Sequence, residues 1–191
     1  MDNQFYEIYD EASEKEFPAT VVNNKVYILN DSQELIPPKK YLWRQLCCTR
    51  KKFYAYTNKV NEETIRFGIF DLNSGAIIVY PEYEEIVDFY DNMARMKLHS
   101  KYGFLDTNGN VAIEATWDYA DVKFSEDLCV VKDKYKYGYI NSYGQIKIPL
   151  KYDWAERFRP VVGFSSFNRA ARVEKDGKYG FITTKGEFII Y

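Results

Sequence analysis

The sequence predicts an all-β protein: an antiparallel meander of about five three-stranded repeats, each near 35 residues, wound into an open, twisted solenoid-like spiral. A closed propeller-like ring is the alternative. Three observations carry this reading. An aromatic-Gly pair recurs along the chain, and its glycines Gly68, Gly103, Gly138 and Gly180 lie 35, 35 and 42 residues apart. A second glycine, Gly75, Gly109, Gly144 or Gly186, follows each pair by six or seven residues, the spacing of a strand and a tight turn. Aromatic residues make up 18% of the chain, with 18 Tyr and 13 Phe, which suits half-buried strands whose hydroxyl ends reach water.

In chain order, residues 1–24 are an acidic N-terminal segment, with Asp2, Glu7, Asp10, Glu11, Glu14 and Glu16 against Lys15. Its stretch 17–22 reads as a capping strand, which covers an exposed edge or, in a ring, completes the last unit. Residues 25–191 form the repeat domain, divided near 25–66, 67–101, 102–136, 137–178 and a partial 179–191. The first copy is degenerate: Val26-Tyr27-Ile28 and Leu35-Ile36 stand for its first strands, Gln33 replaces the second glycine, and Phe53–Tyr56 is its third strand.

Each regular unit begins with a Tyr-Gly strand such as Tyr102-Gly103-Phe104-Leu105-Asp106. A turn leads to an apolar alternation, Val111-Ala112-Ile113 or Ile146-Lys147-Ile148. An aromatic follows, Tyr83, Trp117 or Tyr152, and then Phe89, Phe124 or Phe158. Met93–Met96, Leu128–Val131 and Ala170–Val173 form the third strand, and a turn such as Lys175-Asp176-Gly177-Lys178 returns the chain to the next Tyr-Gly strand.

These residues resemble the bacterial WG-repeat family, whose unit carries a Trp-Gly pair and a Tyr-Asp … Phe passage. Here Phe67, Tyr102, Tyr137 and Tyr179 replace the Trp, while Trp117-Asp118 with Phe124 and Tyr152-Asp153 with Phe158 fit the second half. The resemblance spans roughly 25–191 and implies a β-repeat architecture without a common chemistry.

Charge excludes little but points away from polyanions. With 26 basic and 28 acidic residues the formal charge is −2, so no field favours nucleic acid or an anionic membrane. No apolar run is long enough for a membrane span, and no basic start with an apolar stretch marks a secretory signal. The odd cysteine count, Cys47, Cys48 and Cys129, gives no disulfide framework, and a cytoplasmic protein is expected.

Catalytic candidates are few. His99 is a single histidine on a hairpin turn with no nucleophile motif beside it. Cys47-Cys48 lacks the spacing of a metal or redox site, and Cys129 takes the slot of Ala94 and Ala171, a small core position. Asp71, Asp106, Asp118 and Asp153 recur beside turns, where carboxylates accept backbone N–H bonds; they form no calcium loop. No catalytic residue, metal site or cofactor is expected, and the chain reads as non-enzymatic.

Function is expected where the repeat breaks. The 42-residue spacing contains an insertion between Phe158 and Ala170, and Phe164, Phe167, Arg159 and Arg169 in it, with Trp154 and Arg157 before it, are the candidate partner-binding residues. Aromatic anchors with an arginine rim suit a protein interface. Packing of Phe164 and Phe167 into the adjacent repeat is the competing reading. The basic stretch with Trp43-Arg44 and Arg50-Lys51-Lys52 reads as a solvated edge. Protein–protein interaction is therefore the expected function, as an accessory subunit or a toxin-neutralising immunity protein. A cell-wall glycan or choline module, using stacking and cation–π contact, is the alternative.

Overall fold

The computed structural model describes residues 5–10, 15–29, 35–36, 45–46, 53–61, 64–71, 74–161 and 169–189. Every described element is a strand and every pairing is antiparallel. The first sheet holds β1 (Phe5–Asp10), β2 (Lys15–Val22), β3 (Lys25–Leu29), β4 (Leu35–Ile36), β5 (Gln45–Leu46), β6 (Phe53–Asn61), β7 (Thr64–Asp71) and β8 (Ile77–Tyr83). Its order is β4-β3-β2-β1-β6-β7-β8, with β5 on β6. The second sheet runs β9 (Glu85–Tyr90), β10 (Met93–Leu98), β11 (Lys101–Asp106), β12 (Val111–Trp117), and the third β13 (Tyr119–Ala120), β14 (Cys129–Asp133), β15 (Lys136–Ile140), β16 (Ile146–Tyr152). The fourth is β17 (Trp154–Ala155), β19 (Arg169–Lys175), β20 (Lys178–Ile182), β21 (Phe188–Ile189), with β18 (Arg159–Pro160) on β19.

The array is open. Among the described residues no strand of the fourth sheet pairs with the first, so the closed ring is not formed. The stretch 17–22 lies within β2, hydrogen-bonded between β1 and β3, and does not complete the last unit. To the three expected strands the structure adds a fourth, the six-residue β9 or the two-residue β13 and β17. The sheets also straddle the sequence repeats: β13 and β14 come from 102–136, β15 and β16 from 137–178.

Period-two alternation on strands with two covered faces explains the core. Leu105 points back to join Ala94, Met96, Ile69 and Val79 between the first and second sheets. Phe104 points forward to Phe124, Cys129, Val131 and Ile140 between the second and third. Val130, Tyr139, Ile148 and Tyr152 then meet Phe158, Ala171, Val173 and Ile182 between the third and fourth. Cys129-Val130-Val131 is buried throughout because neighbouring sheets take alternate residues. Each large side chain so buried contributes about 1.5–3 kcal/mol. Ring pairs mark the seams: Phe104 with Phe124 and Tyr139 with Phe158, both at 5.1 Å between centroids.

Two kinds of turn close the hairpins. At Asp106–Asn110, Asp106 Oδ1 accepts from the N–H groups of Asn108 (2.8 Å) and Asn110 (2.9 Å), and Gly109 at φ 84° donates to the Asp106 carbonyl (3.0 Å). Asn141 and Thr183 do the same for their own turns. The other hairpins use two-residue turns with positive φ at both central residues, such as His99-Ser100 and Asp176-Gly177. A carboxylate from earlier in the same sequence repeat holds them: Glu84 accepts from Ser100 N–H, Asp118 from Lys134 N–H and Asp153 from Asp176 N–H (2.7 Å).

The first glycines of three units, Gly68, Gly103 and Gly138, have a different cause. Tyr102 pairs with Trp117 and Phe104 with Ile113, so three residues of β11 face five of β12, and β12 arches over Gly103. A Cβ there would lie 2.4 Å from the Ile113 carbonyl oxygen. The same bulge recurs as Tyr137↔Tyr152 with Tyr139↔Ile148 over Gly138, and as Phe67↔Tyr83 with Ile69↔Val79 at Gly68.

Candidate functional site

The recurring acids are anchors. Asp118 pairs with Lys101 and Asp153 with Lys136 in addition to holding their turns. Both carboxyls titrate below 3.8, first because the lysine hydrogen bond favours the anion and then because the backbone N–H does. A carboxyl with a lowered folded-state pKa contributes stability above its unfolded value, and that contribution is lost as pH falls through the folded one. Stability from these groups should be level from neutral pH to about 4 and decline as pH falls further. Urea unfolding across that range should show a shallower acid limb for the Asp118→Asn, Asp153→Asn double variant.

Cys129 is fully buried, and burial pushes its thiol pKa well up. Its side chain lies within the packed seam beside Phe124 and Ile140. In a Cys47→Ser, Cys48→Ser background it should resist a thiol reagent in the native state and react only on unfolding. His99 occupies a left-handed turn position at φ 49° and is exposed.

The predicted binding residues divide. Phe164 and Phe167 lie outside the described residues, as do Trp43, Arg44 and Arg50–Lys52 of the basic stretch and Cys47 and Cys48. Arg159 and Arg169 lie diagonally across a strand pair, Arg159↔Ala170 and Pro160↔Arg169, so the insertion extends the hairpin that in the previous repeat closes at Ser125↔Leu128. Arg159 is exposed, whereas Arg169 Nε meets Glu126 Oε1 at 2.9 Å. Arg157 turns inward: its Nε and Nη2 donate to Asp121 Oδ2 (3.0 Å) and Oδ1 (2.7 Å), and Asp121 is buried. This bidentate pair ties the third sheet to the fourth. Trp154 opens β17, half-buried beneath Arg172.

A feature not anticipated from the sequence runs along the edge where the His99-Ser100 and Lys134-Tyr135 turns lie. Tyr102 meets Tyr119 edge-on at 6.5 Å, and Tyr119 meets Tyr137 at 6.0 Å. Register places Trp154 and Tyr179 at the same positions one sheet further on. Cations lie over the rings: Arg95 and Lys97 over Tyr102 at 4.8 and 5.6 Å, Lys132 over Tyr137 at 5.2 Å, Arg172 over Tyr179 at 4.6 Å. Tyr119 is 38% exposed and Tyr179 60%. The signal lay in the third strands, where Arg95, Lys97, Lys132 and Arg172 stand on the face that meets the next Tyr-Gly strand.

Fold and edge together define a stacked antiparallel β-repeat protein with an aromatic, cationic stripe. Residues 67–102, 102–137 and 137–159 match, as three consecutive copies, the family model described as WG containing repeat. Over this stretch, just under half of the chain, the sequence is consistent with a WG-repeat family. No curated protein matches the chain.

Proposed function

We propose that this β-repeat protein is a non-enzymatic scaffold that binds another protein through the stripe of Tyr102, Tyr119, Tyr137 and Trp154 with its cations. The observation that carries the reading is the stripe itself: half-exposed Tyr and Trp rings, rigidly placed by strands and flanked by Arg and Lys. Rigid aromatics with arginine are the residue types that dominate binding energy at protein interfaces. The groups best suited to chemistry have structural duties, with Cys129 in a seam and Asp118 and Asp153 on turns. A choline or glycan module is less well supported, because Arg95 and Lys132 already cover the ring faces a quaternary ammonium or a sugar needs. A cytoplasmic accessory subunit and a toxin-neutralising protein are both forms of this function, and the partner's identity separates them.

Affinity capture of the full chain from its native host, with mass spectrometry, tests the reading. The Tyr119→Ser, Lys132→Glu double variant should recover the partner at least about tenfold less well, the loss that about 1.4 kcal/mol of interface energy produces. Its unfolding midpoint should stay near that of the parent. Equal recovery by both proteins contradicts a role for the stripe.

A further inference from the structure

The first strand of each later sheet is an edge strand, and an edge strand leaves backbone carbonyls without a ladder partner. In the third sheet that strand is β13, and the carbonyl of its Ala120 accepts a 2.8 Å hydrogen bond from Nη1 of Arg95 in the second sheet. The same guanidinium lies over Tyr102 and pairs with Glu85, while the Tyr102 ring meets Tyr119, the residue before Ala120. One arginine and one tyrosine thereby seat an aromatic-small dipeptide on the edge of the next sheet.

The fourth sheet carries the same pair. Arg172 faces Phe181 across the ladder as Arg95 faces Phe104, and Tyr179 faces Glu174 as Tyr102 faces Lys97. Trp154 stands at the position of Glu85. With an indole there in place of a carboxylate, the Arg172 guanidinium contacts two rings, at 4.6 and 5.9 Å, and makes no hydrogen bond or ion pair among the described residues. Arg172 is exposed, whereas the Arg95 side chain is only 13% exposed.

We propose that Arg172, Tyr179 and Trp154 form a receptor for an edge β-strand of a partner protein, one with an aromatic residue followed by a small one. The partner strand takes the place that Tyr119-Ala120 takes on the second sheet, with its outward carbonyl on Arg172 and its ring against Tyr179. A second copy of this chain is the poorer occupant, because its own aromatic-small strands, Tyr119-Ala120 and Trp154-Ala155, are already seated, with Ala120 at 0% and Ala155 at 7% exposure. The proposal rests on the protein-binding function above and names the kind of surface bound.

The test places the photo-crosslinker p-benzoylphenylalanine at position 179 of the full chain in the native host, with a second probe at 119 and a control at 143. Position 179 should crosslink a different protein, within a β-strand and next to an aromatic-small pair, and Arg172→Ala should cut that product at least about fivefold. Arg172→Ala should leave the unfolding midpoint within about 2 °C, since the side chain is exposed. The proposal is overturned by a crosslink to residues 162–168 of the same chain, to a second copy or to a helical segment, by a product that Arg172→Ala leaves unchanged, or by one shared with position 143. Silence at 179 with a product at 119 overturns the strand receptor and leaves the protein-binding function standing. Silence at both positions overturns both.

Discussion

Replacing Gly103 with alanine is expected to lower stability by about 3 kcal/mol, the upper part of the range for overpacking a core. The added Cβ would lie 2.4 Å from the Ile113 carbonyl oxygen and 2.7 Å from the Ala115 nitrogen, both backbone atoms of the arched β12. Backbone held in a ladder cannot swing aside as a side chain can, so relief requires opening the bulge or shifting β12 against the first sheet. Gly138→Ala should behave alike, with the Ile148 carbonyl oxygen at 2.7 Å. Two controls separate crowding from conformation. Gly177→Ala meets no atom within 4 Å but sits at φ +71°, so it should cost about 1 kcal/mol. Gly180→Ala meets only the Phe188 ring at 3.3 Å, which can move, and should cost less than Gly103→Ala. Chemical denaturation of the four variants gives the order directly, and a Gly103→Ala protein as stable as the parent would remove the close-approach explanation of the repeat's first glycine.

The second large effect is expected at Asp121. Arg157 reaches across from the fourth sheet to bind both oxygens of this carboxylate, whose residue is 6% exposed. Removing either partner leaves the other charge in a poorly hydrated seam, and breaking such a pair costs about 3–5 kcal/mol when both groups are buried. The Arg157 side chain retains 28% exposure, so Asp121→Ala should fall near the lower end, at about 3 kcal/mol. Arg157→Ala strands the more deeply buried charge and should cost at least as much. The double variant should lose less than the sum, with a coupling of about 1–3 kcal/mol. Additive losses would show that the two sheets are held by apolar contact alone. Arg157 is thereby assigned to cohesion between repeats, which an arginine beside an insertion does not announce in the sequence.

What was legible in the sequence follows from how periodic the cause is. The Tyr-Gly spacing, the hairpin glycines and the alternation around Val111–Ile113 recur with each unit, so strand, turn and strand could be read at every copy. The small residue of the third strand was also readable, since Ala94, Cys129 and Ala171 each press against the preceding sheet. The fourth strand was not readable, because β13 and β17 are two residues long and lie between an acid and a polar turn, too short for any period to register. The straddling of repeats by sheets was hidden as well, because the pairing of β14 with β15 crosses the point where the sequence pattern restarts. In the N-terminal segment, the register of β1 on β2 rests on backbone pairing between Phe5–Asp10 and Lys15–Thr20, where acidic residues obscure the alternation.

The stripe was missed for a related reason. Tyr102, Tyr119 and Tyr137 are 17 and 18 residues apart, and only the stacking of sheets brings their rings together. Read singly, each tyrosine belonged to the scaffold. The insertion between Phe158 and Ala170 interrupts the spacing and so stands out in the sequence, whereas the stripe follows the spacing and emerges only when the turn-bearing ends of the sheets align.

Hydrogen–deuterium exchange of the full chain, with and without its captured partner, tests the binding surface most directly. Protection should concentrate at residues 117–121 and 134–138, the strand starts and turns beside Tyr119 and Tyr137. The opposite edge, with the Asp106–Asn110 and Asn141–Gln145 hairpins, should exchange at the same rate in both states. Protection confined to those glycine hairpins, with 117–121 unchanged, would contradict the assignment of the aromatic stripe as the binding surface.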